Sequence, residues 1–286
     1  VQTMKPGAKV LPHFIKDTTD RNRTSPFAFT GNKFEFRMPG SALSVSEPNI
    51  VINTAVAEVL GEFADRLEGL SGKALEAEIH LLLKEVLRDH RHIVFNGNGY
   101  TSEWVEEAHK RGLFDLPSCA EAFPRLIAEK NVELFLKHGI YTKEELFSRY
   151  EIKEENYIKT INIEAKTMID MAGKQIIPAV VKYTTQLASS LTAVRTACEE
   201  ADVSVQKELL LETSDKLSEM KVALAALKDI LAKASAIKDN KEKAFAYLHE
   251  VCPAMVALRK PADELEMLVD KELWPFPSYG DLVFEV

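Results

Sequence analysis

Apolar residues recur every three to four positions over most of the chain, which is the period of an amphipathic helix. From about Ile152 onward the pattern is strongest, and it predicts three long helices at about 152–200, 203–237 and 241–272. Their apolar positions repeat at heptad spacing: Val180, Leu187 and Val194, each followed four residues later by Thr184, Leu191 and Cys198; Leu210, Leu217, Leu224 and Leu231, with Met220 and Leu227 between; and Ala244, Leu248, Val251, Met255, Leu258, Ala262 and Leu265. This 3-4 spacing is typical of antiparallel helices packed side by side, so it predicts a long three-helix bundle.

Three prolines, Pro178, Pro253 and Pro261, lie inside these segments. Because proline lacks an amide proton and clashes with the preceding turn, we expect a local kink or break at each. The heptads themselves fit two interpretations, a bundle core or a separate dimerising zipper, and the bundle core is favoured. The aromatic tail "ELWPFPSYGDLVFEV" is expected to pack back on a neighbouring surface.

Between residues 49 and 150 the pattern predicts shorter helices. One follows a cap near Ser46 or Asn49, and another runs from about Lys73 to His92. The two Asn-Gly pairs of "FNGNGY" predict a turn rather than a phosphate-binding loop, since no Lys-Ser/Thr follows them. Further helices are predicted at 102–111, 118–129, 131–138 and 143–149.

Residues 1–48 are richer in proline and glycine and predict strands and loops. In the strand "KFEFR", alternation places Lys33, Glu35 and Arg37 on one face and Phe34 and Phe36 on the other. The apolar face is expected to lie against a core, with the polar face available for a site.

Composition narrows the classes of function. The chain has 286 residues, 46% of them hydrophobic, and a net charge of -8, which argues against a protein that coats nucleic acid. Three widely separated cysteines indicate neither a zinc site nor a disulfide framework. With no apolar run of roughly 18 residues and no apolar leader at the start, we expect a cytoplasmic protein, and a chain that begins without Met is expected to be the later part of a longer one.

Positive charge is nevertheless concentrated locally, where Arg21, Arg23, Lys33 and Arg37 surround Glu35. One interpretation is a surface loop with structural ion pairs. The other is an anion site in which the carboxylate ligates a hard cation that bridges to phosphate oxygens while the basic groups stabilise their charge.

Histidines offer weaker candidates. His90 and His92 lie two residues apart, a spacing that directs them to different sides of a helix, so a role at a helix carboxyl end is favoured over a metal site. His13 precedes the basic cluster and is interpreted as structural, with a place at the site's edge as the alternative.

The segment "NRTSPFAFTGNKFEFR", with "KDTTDR" before it and "PNIVINTAVAEVL" after it, resembles the late catalytic region of glutamine synthetase, specifically its type III branch. The resemblance continues through "FNGNGYTSEWVEEAHKRGL" to the terminal "ELWPFPSYGDLVFEV". It implies a mainly α chain with a small β portion. Residues 1–150 would hold the last strands and helices of the catalytic α/β barrel, and 151–286 the long helical bundle with its aromatic tail.

The resemblance also implies residue roles. Arg23, with Arg21 beside it, would bind the phosphates of ATP, and Lys33 would stand where other branches have an arginine. Glu35 would ligate an active-site Mg²⁺ or Mn²⁺. Arg37 would hold the glutamate side chain and its developing acyl phosphate, as a substrate-binding and catalytic residue.

Two departures from the family pattern qualify these roles. The segment "SPFAFTG" carries no cation where the better-known bacterial branch has a further phosphate-binding arginine. Lysine at position 33 also loses the two-pronged donor geometry of arginine. The remaining metal ligands of the family lie earlier in the protein, so this chain alone is expected to be inactive.

The reaction implied by the resemblance is ATP-dependent condensation of glutamate with ammonia through γ-glutamyl phosphate. Family members assemble as stacked rings, which implies a homo-oligomer, a dodecamer, without nucleic-acid or membrane partners. The competing hypothesis is a non-catalytic scaffold in which the helical bundle is the working part and the basic cluster is only structural.

Overall fold

The computed structural model describes residues 3–4, 14–15, 27–29, 33–36, 43–95 and 98–284, and within them four short strands precede eleven α-helices. The strands are β1 (Thr3–Met4), β2 (Phe14–Ile15), β3 (Phe27–Phe29) and β4 (Phe34–Phe36). The helices are α1 (Ser46–Leu67), α2 (Gly72–Asp89), α3 (Ser102–Lys110), α4 (Cys119–Ala122), α5 (Glu129–Lys137), α6 (Lys143–Met171), α7 (Ile177–Ala197), α8 (Ser204–Ala236), α9 (Asn240–Ala246), α10 (Cys252–Leu268) and α11 (Tyr279–Phe284). The prediction of a mainly helical chain is confirmed.

Contacts divide the chain into two compact units. The first contains Val1–Pro117 and Lys130–Thr142, and the second contains Ser118–Glu129 and Lys143–Val286. Among the described residues, no helix combines the length and the apolar character that crossing a membrane requires.

In the first unit, α1 and α2 form a hairpin held by one arginine. Arg66 near the end of α1 donates from Nε to Glu78 Oε1 and from Nη1 to Glu85 Oε2, each over 2.6 Å. A second link runs from Glu58 of α1 to the end of α5, where Lys137 Nζ and His138 Nε2 lie 2.5 and 2.7 Å from its two carboxylate oxygens. These ion pairs are accessible to solvent, so each contributes little to the stability of the unit.

Apolar side chains on these two helices remain largely exposed. Thr54 is the buried residue of α1 and Leu82 that of α2 within the described part of the chain. The exposed apolar residues include Val51, Val56, Val59 and Leu60 on α1 and Leu81, Leu83 and Leu87 on α2. An apolar surface of this extent is typical of a region that contacts another protein segment.

The second unit is built on three long helical segments that correspond to the predicted bundle. Ser235 Oγ of α8 lies 2.9 Å from the Tyr247 hydroxyl, and Lys216 Nζ of α8 lies 2.9 Å from Glu264 Oε2 of α10. The contact partner of the later residue, Ser235, has the lower number, 247, and that of the earlier residue, Lys216, has the higher number, 264, so the two helical segments are antiparallel. The first segment starts earlier than predicted, since the short helix predicted at 143–149 is continuous with α6.

The core of this unit follows the predicted heptads with a shift in phase. In the third segment, every second predicted position is buried: Ala244, Val251, Leu258 and Leu265. The predicted positions between them are only half-buried: Leu248, Met255 and Ala262. The residues one position earlier are buried instead: Tyr247, Ala254 and Pro261. In α8, Met220, Leu224, Leu227 and Leu231 are buried, whereas Leu210 and Leu217 are half-buried. Cys198 is exposed because α7 ends at Ala197, so its predicted place in the seam is wrong.

Two of the three prolines are accommodated by π turns. One, at Ala172–Ile176, ends two residues before Pro178, and the other, at Tyr247–Val251, ends two residues before Pro253. Proline cannot donate to the carbonyl four residues earlier, and the wider turn re-pairs the backbone around that missing bond. The helix continues through Pro261, so it does not break there.

The aromatic tail packs on the bundle as predicted. Leu273, Trp274 and Phe276 lie against the apolar core. Beyond them, Ser278 donates from its backbone N and from Oγ to Asp281 Oδ2, each over 2.7 Å, and Lys271 forms an ion pair with the same carboxylate. The Lys271 hydrogen bond, with those from Ser278, lowers the pKa of Asp281 to about 2.

One carboxyl group is buried in α6 without an ion-pair partner among the described residues. Glu154 is 2% exposed and accepts a hydrogen bond from the hydroxyl of Tyr150, itself buried. Burial raises the pKa of Glu154, and Asp239 and Glu151 raise it further, while Tyr150 and Lys241 act in the opposite direction. The folded state therefore favours the protonated acid.

Replacing Glu154 by glutamine is expected to make the protein more stable than the wild type at about pH 8, with the difference disappearing near pH 4. A carboxyl whose pKa is raised by folding stabilises the fold below its unfolded pKa of 4.5 and loses that contribution as pH rises through its folded pKa. Glutamine keeps the shape and cannot ionise. The measurement is the melting temperature of both proteins across this pH range.

Glu155→Gln is the matched control. The neighbouring Glu155 is exposed and pairs with Lys159 Nζ at 2.9 Å, which lowers the pKa of the carboxyl. The ionised Glu155 carboxylate stabilises the fold above pH 4.5, and this stabilisation disappears as pH falls. Glu155→Gln should therefore have a slightly lower melting temperature than the wild type at about pH 8. If both variants shifted the melting temperature alike at every pH, a raised Glu154 pKa would be ruled out.

The three cysteines, all in the second unit, differ in accessibility. Cys119 and Cys198 are exposed, whereas Cys252 is partly buried at the start of α10. Burial raises the pKa of the Cys252 thiol, and its hydrogen bond with Tyr157 offsets this only in part. All three are free thiols.

Candidate functional site

Glu35 lies in a short antiparallel hairpin formed by β3 and β4. The register pairs Phe27 with Phe36, Ala28 with Glu35 and Phe29 with Phe34. The predicted strand around Glu35 is therefore present, and its partner is the immediately preceding segment of the chain. A hairpin of this kind fixes the backbone at Glu35 through local pairing.

Lys33 and Glu35 lie on the same side of the hairpin, as alternation predicts. Lys33 Nζ is 3.8 Å from Glu35 Oε1, and the side chains are 66% and 27% exposed respectively. At this distance and exposure the pair is a weak ion pair, worth about 1 kcal/mol or less. The Glu35 side chain stays 27% exposed beside this pair, so solvent reaches it.

The apolar side of the strand differs from expectation. Phe34 is 60% exposed rather than packed on a core. The partner strand β3 is three residues long, as is β4 itself. Two strands alone bury too little apolar surface to cover the phenyl ring.

The remaining predicted site residues, Arg21, Arg23 and Arg37, lie outside the described residues, as does His13. Their convergence on Glu35 stays a prediction. The described pair, Lys33 and Glu35, is the part of the cluster that the structure brings together.

Glu35 could supply one oxygen ligand to a magnesium ion that is shared with other groups. Among the described residues, no three His, Cys, Asp or Glu side chains are grouped to hold a metal. Mg²⁺ in phosphate chemistry is bound by one or two carboxylates together with substrate phosphates and water. Glu35 can serve as one such ligand, and a complete site needs further oxygen ligands from other parts of the protein.

The two histidines at the end of α2 have local roles. His90 caps the helix through its backbone N–H, which donates to Val86 O over 3.0 Å, and His92 Nδ1 lies 3.2 Å from Asp89 O. Their ring centroids are 6.3 Å apart. These contacts are those of a helix end, the interpretation favoured from spacing.

Sequence reasoning overlooked Arg111, which organises the segment after α2. Its Nη1 donates to Val94 O over 2.9 Å, its Nε donates to Glu107 Oε1 over 2.7 Å, and its guanidinium lies 5.4 Å from the ring centroid of Trp104. Trp104 in turn stacks on Phe95 at 3.7 Å. The i,i+4 spacing of Glu107 and Arg111 was the signal available in the sequence.

The turn predicted for "FNGNGY" is present in its described half. Asn98 Oδ1 accepts a hydrogen bond from Tyr100 N over 3.1 Å, the local bond by which asparagine stabilises turns. Asn96 and Gly97 lie outside the described residues.

Comparison with known proteins gives a consistent result along the chain. Residues 78–195 match the family described as the glutamine synthetase C-terminal domain. The chain is 38% identical over 274 residues to a glutamine synthetase of Butyrivibrio fibrisolvens, covering 96% of this chain and 39% of that protein.

Two further relatives show similar values. Identity is 36% over 288 residues to a glutamine synthetase of Bacteroides fragilis (strain YCH46), covering 99% of this chain and 40% of the relative. Identity is 37% over 283 residues to the type-3 glutamine synthetase of Dictyostelium discoideum, covering 97% of this chain and 38% of the relative. The chain thus spans about two fifths of the length of these relatives.

Proposed function

Because this chain belongs to the glutamine synthetase family, we propose that it supplies nucleotide- and substrate-binding residues to an ATP-dependent ligase that joins glutamate and ammonia. The observation that carries the proposal is the extent of the similarity. At least 96% of the chain aligns with each of three proteins named glutamine synthetase, at 36–38% identity.

In this proposal the basic cluster binds the phosphates of ATP. Arg23 and Arg21 neutralise the triphosphate, and Lys33 adds a third charge at the hairpin. Lysine acts here as a single point charge, so it contributes attraction with less geometric control than arginine. The proximity of Lys33 Nζ to Glu35 supports a shared polar face.

Glu35 would hold one coordination position of a Mg²⁺ or Mn²⁺ ion. Such an ion, when bound, neutralises phosphate charge during transfer. The partial exposure of the Glu35 side chain, 27%, supports this role, because a ligand for a shared ion must remain accessible to phosphate oxygens. Lys33 lies beside this carboxylate, with its Nζ 3.8 Å from Glu35 Oε1.

Arg37 would bind the glutamate side chain. The γ-carboxylate oxygen attacks the γ-phosphorus of ATP, ADP leaves, and ammonia then displaces phosphate from the acyl carbon to give glutamine. Phosphorylation is needed because a carboxylate is a poor acyl donor. A guanidinium next to the acyl phosphate stabilises the negative charge that develops in both steps.

The wider organisation follows the family. Residues 1–150 would belong to the catalytic domain as the last strands and helices of its α/β barrel, and 151–286 would form the bundle. The active protein would be a cytoplasmic homo-oligomer of stacked rings. One carboxylate cannot hold all the ions of such a site, so catalysis by this chain alone is not expected.

A non-catalytic scaffold is the second candidate. It is favoured by one observation, that the large apolar core lies wholly within the helical unit. In this alternative the Lys33–Glu35 pair is only a structural contact.

Titration of the chain with ATP in the presence of Mg²⁺ tests the proposal. Calorimetry is expected to show binding that weakens at least tenfold, about 1.4 kcal/mol, in Glu35→Gln and again in Arg23→Ala. Glutamine preserves the shape of glutamate but is a poor ligand for Mg²⁺, and alanine removes a phosphate-binding charge.

Glu68→Gln, at an exposed acid just beyond α1, is the matched control and should bind ATP like the wild type. Replacing Mg²⁺ by EDTA should abolish the difference between Glu35→Gln and the wild type. Equal weak binding in all variants would support the scaffold instead.

A further inference from the structure

The two long helices of the first unit, α1 and α2, hold apolar side chains in contact with solvent. Val56 and Leu60 of α1 lie four residues apart, and Ile79, Leu83 and Leu87 of α2 follow the same spacing, so each series runs along its helix. Leu60 is 58% exposed, Leu83 49% and Leu87 71%. We call these five side chains the apolar hairpin surface.

This surface differs from the single apolar residues that are ordinary on proteins, such as the exposed Val222 of α8. An amphipathic helix normally turns its apolar stripe toward a core. Within the described residues, Thr54 is the buried residue of α1 and Leu82 that of α2. The stripes on these helices are therefore those of elements whose packing partner lies outside the described part of the chain.

Charge argues against a lipid membrane as that partner. The second half of α1 and the residue that follows it carry four acidic side chains and a single basic one: Glu58, Glu62, Asp65, Glu68 and Arg66. Helices that lie on anionic membranes carry Lys and Arg on their polar face. The polar residues of α1 have the opposite sign.

The same charges argue against a second copy of this chain. A dimer with two-fold symmetry uses one surface on both copies, so it would bring two acidic α1 helices into one interface. Arg66 is not available to offset this, because it already pairs with Glu78 and Glu85 of α2. Like charges within an interface oppose association.

The length of the relatives indicates a partner of another kind. The region that aligns with this chain covers 38–40% of each of the three glutamine synthetases, which leaves about three fifths of each outside the alignment. A helix face that packs against those three fifths in a relative would have no cover in this chain. The apolar hairpin surface has this character.

We propose that the apolar hairpin surface binds the part of glutamine synthetase that this chain does not contain, and that the interface forms between separate polypeptides. The identity of the partner rests on the proposed function. The partner presents apolar side chains to α1 and α2 and basic groups to the acidic half of α1. This interface joins the first unit to the rest of the enzyme and is distinct from the basic cluster around Glu35.

Binding between two polypeptides tests this. One is the full chain of 286 residues. The other, immobilised for surface plasmon resonance, is the part of the 38% identical relative that lies outside its aligned region. The aligned region of that relative is the positive control. The wild-type chain is expected to bind saturably and in a one-to-one ratio.

Two variants locate the interface. Leu60→Glu and Leu83→Glu are each expected to weaken binding at least about 100-fold, because each places a charge in an apolar contact. Both side chains are exposed in the free chain, so the fold should be kept, which circular dichroism checks. Val222→Glu, at a 71% exposed side chain of α8, is the matched control and should bind like the wild type.

Titration of the same preparations with ATP separates this proposal from the ligase proposal. Association without ATP binding would support the interface and count against the nucleotide site. ATP binding without association would count against the interface alone.

Three results would overturn the proposal. The first is the absence of a complex with the wild-type chain, whether or not the positive control binds, because the interface must form between separate polypeptides. The second is equal binding by the wild type and both glutamate variants. The third is self-association, or binding to vesicles of phosphatidylcholine and phosphatidylglycerol, that Leu83→Glu abolishes, since this would identify a second copy or a membrane as the partner.

Discussion

Replacing Tyr247 by alanine is expected to lower the free energy of unfolding of the helical unit by about 3–5 kcal/mol. Tyr247 is 1% exposed and begins the second π turn. Its hydroxyl lies 2.9 Å from Ser235 Oγ on α8 and donates to Asn162 Oδ1 on α6 over 3.4 Å. Alanine would remove the ring that fills the space between these helices and leave both polar partners without the tyrosine.

Tyr247→Phe separates the two contributions. It keeps the ring and removes only the hydroxyl, so a loss of about 1 kcal/mol is expected. Val256→Ala on α10, at a side chain that is 69% exposed, should change stability by less than about 0.5 kcal/mol. Urea unfolding followed by Trp274 fluorescence in a Trp104→Phe background reports on the helical unit, which matters because a chain of two units need not unfold in one step. A loss below about 1 kcal/mol for the alanine variant would contradict a central role for this ring.

The second large expected effect is an increase in the free energy of unfolding. Replacing Thr213 by valine is expected to stabilise the helical unit by about 1–3 kcal/mol. Thr213 is fully buried in α8, and its hydroxyl has no hydrogen-bond partner within the described part of the chain. Valine has nearly the same shape, replaces the unsatisfied hydroxyl with a methyl group, and has a similar helix propensity.

Thr192→Val is its counterpart on α7. That hydroxyl is exposed and donates to Ala188 O over 2.9 Å, so its loss should leave stability nearly unchanged or slightly lower. The same urea titration measures both variants. If Thr213→Val were destabilising, the hydroxyl would have to be satisfied in solution, and the account of this position would be wrong.

Heptad spacing predicted the bundle well because a repeated apolar seam is buried by packing against neighbouring helices. Val180, Leu187, Leu227 and Leu258 are buried where the pattern placed them. The pattern did not identify Tyr247 as a core residue. The π turn changes which face of the helix is buried, and the apolar periodicity does not predict a π turn. It also placed Cys198 in a seam, although the helix ends one residue earlier.

Local chemistry explains the remaining differences. Pro178 and Pro253 predicted a disturbance, but whether the helix breaks or widens depends on the surrounding packing, which is a tertiary property. Residues 143–149 join α6 because nothing in "FSRYEIKEEN" ends a helix, and the predicted gap had no glycine or proline to support it.

For the candidate site, strand alternation predicted that Lys33 and Glu35 share one face, and the structure places their charged groups 3.8 Å apart. Alternation could not predict that Phe34 is 60% exposed. It tells which side chains share a face of the strand, but not whether another part of the protein packs on that face.

The unequal accessibility of the thiols makes the chain ready for attachment of reporter groups without added cysteines. Maleimides react with the thiolate, so Cys119 and Cys198 should be modified quickly at neutral pH and Cys252, whose pKa is raised by burial, much more slowly. A spin label on Cys198 would sit at the turn between α7 and α8 and sense any macromolecule that approaches that end of the bundle.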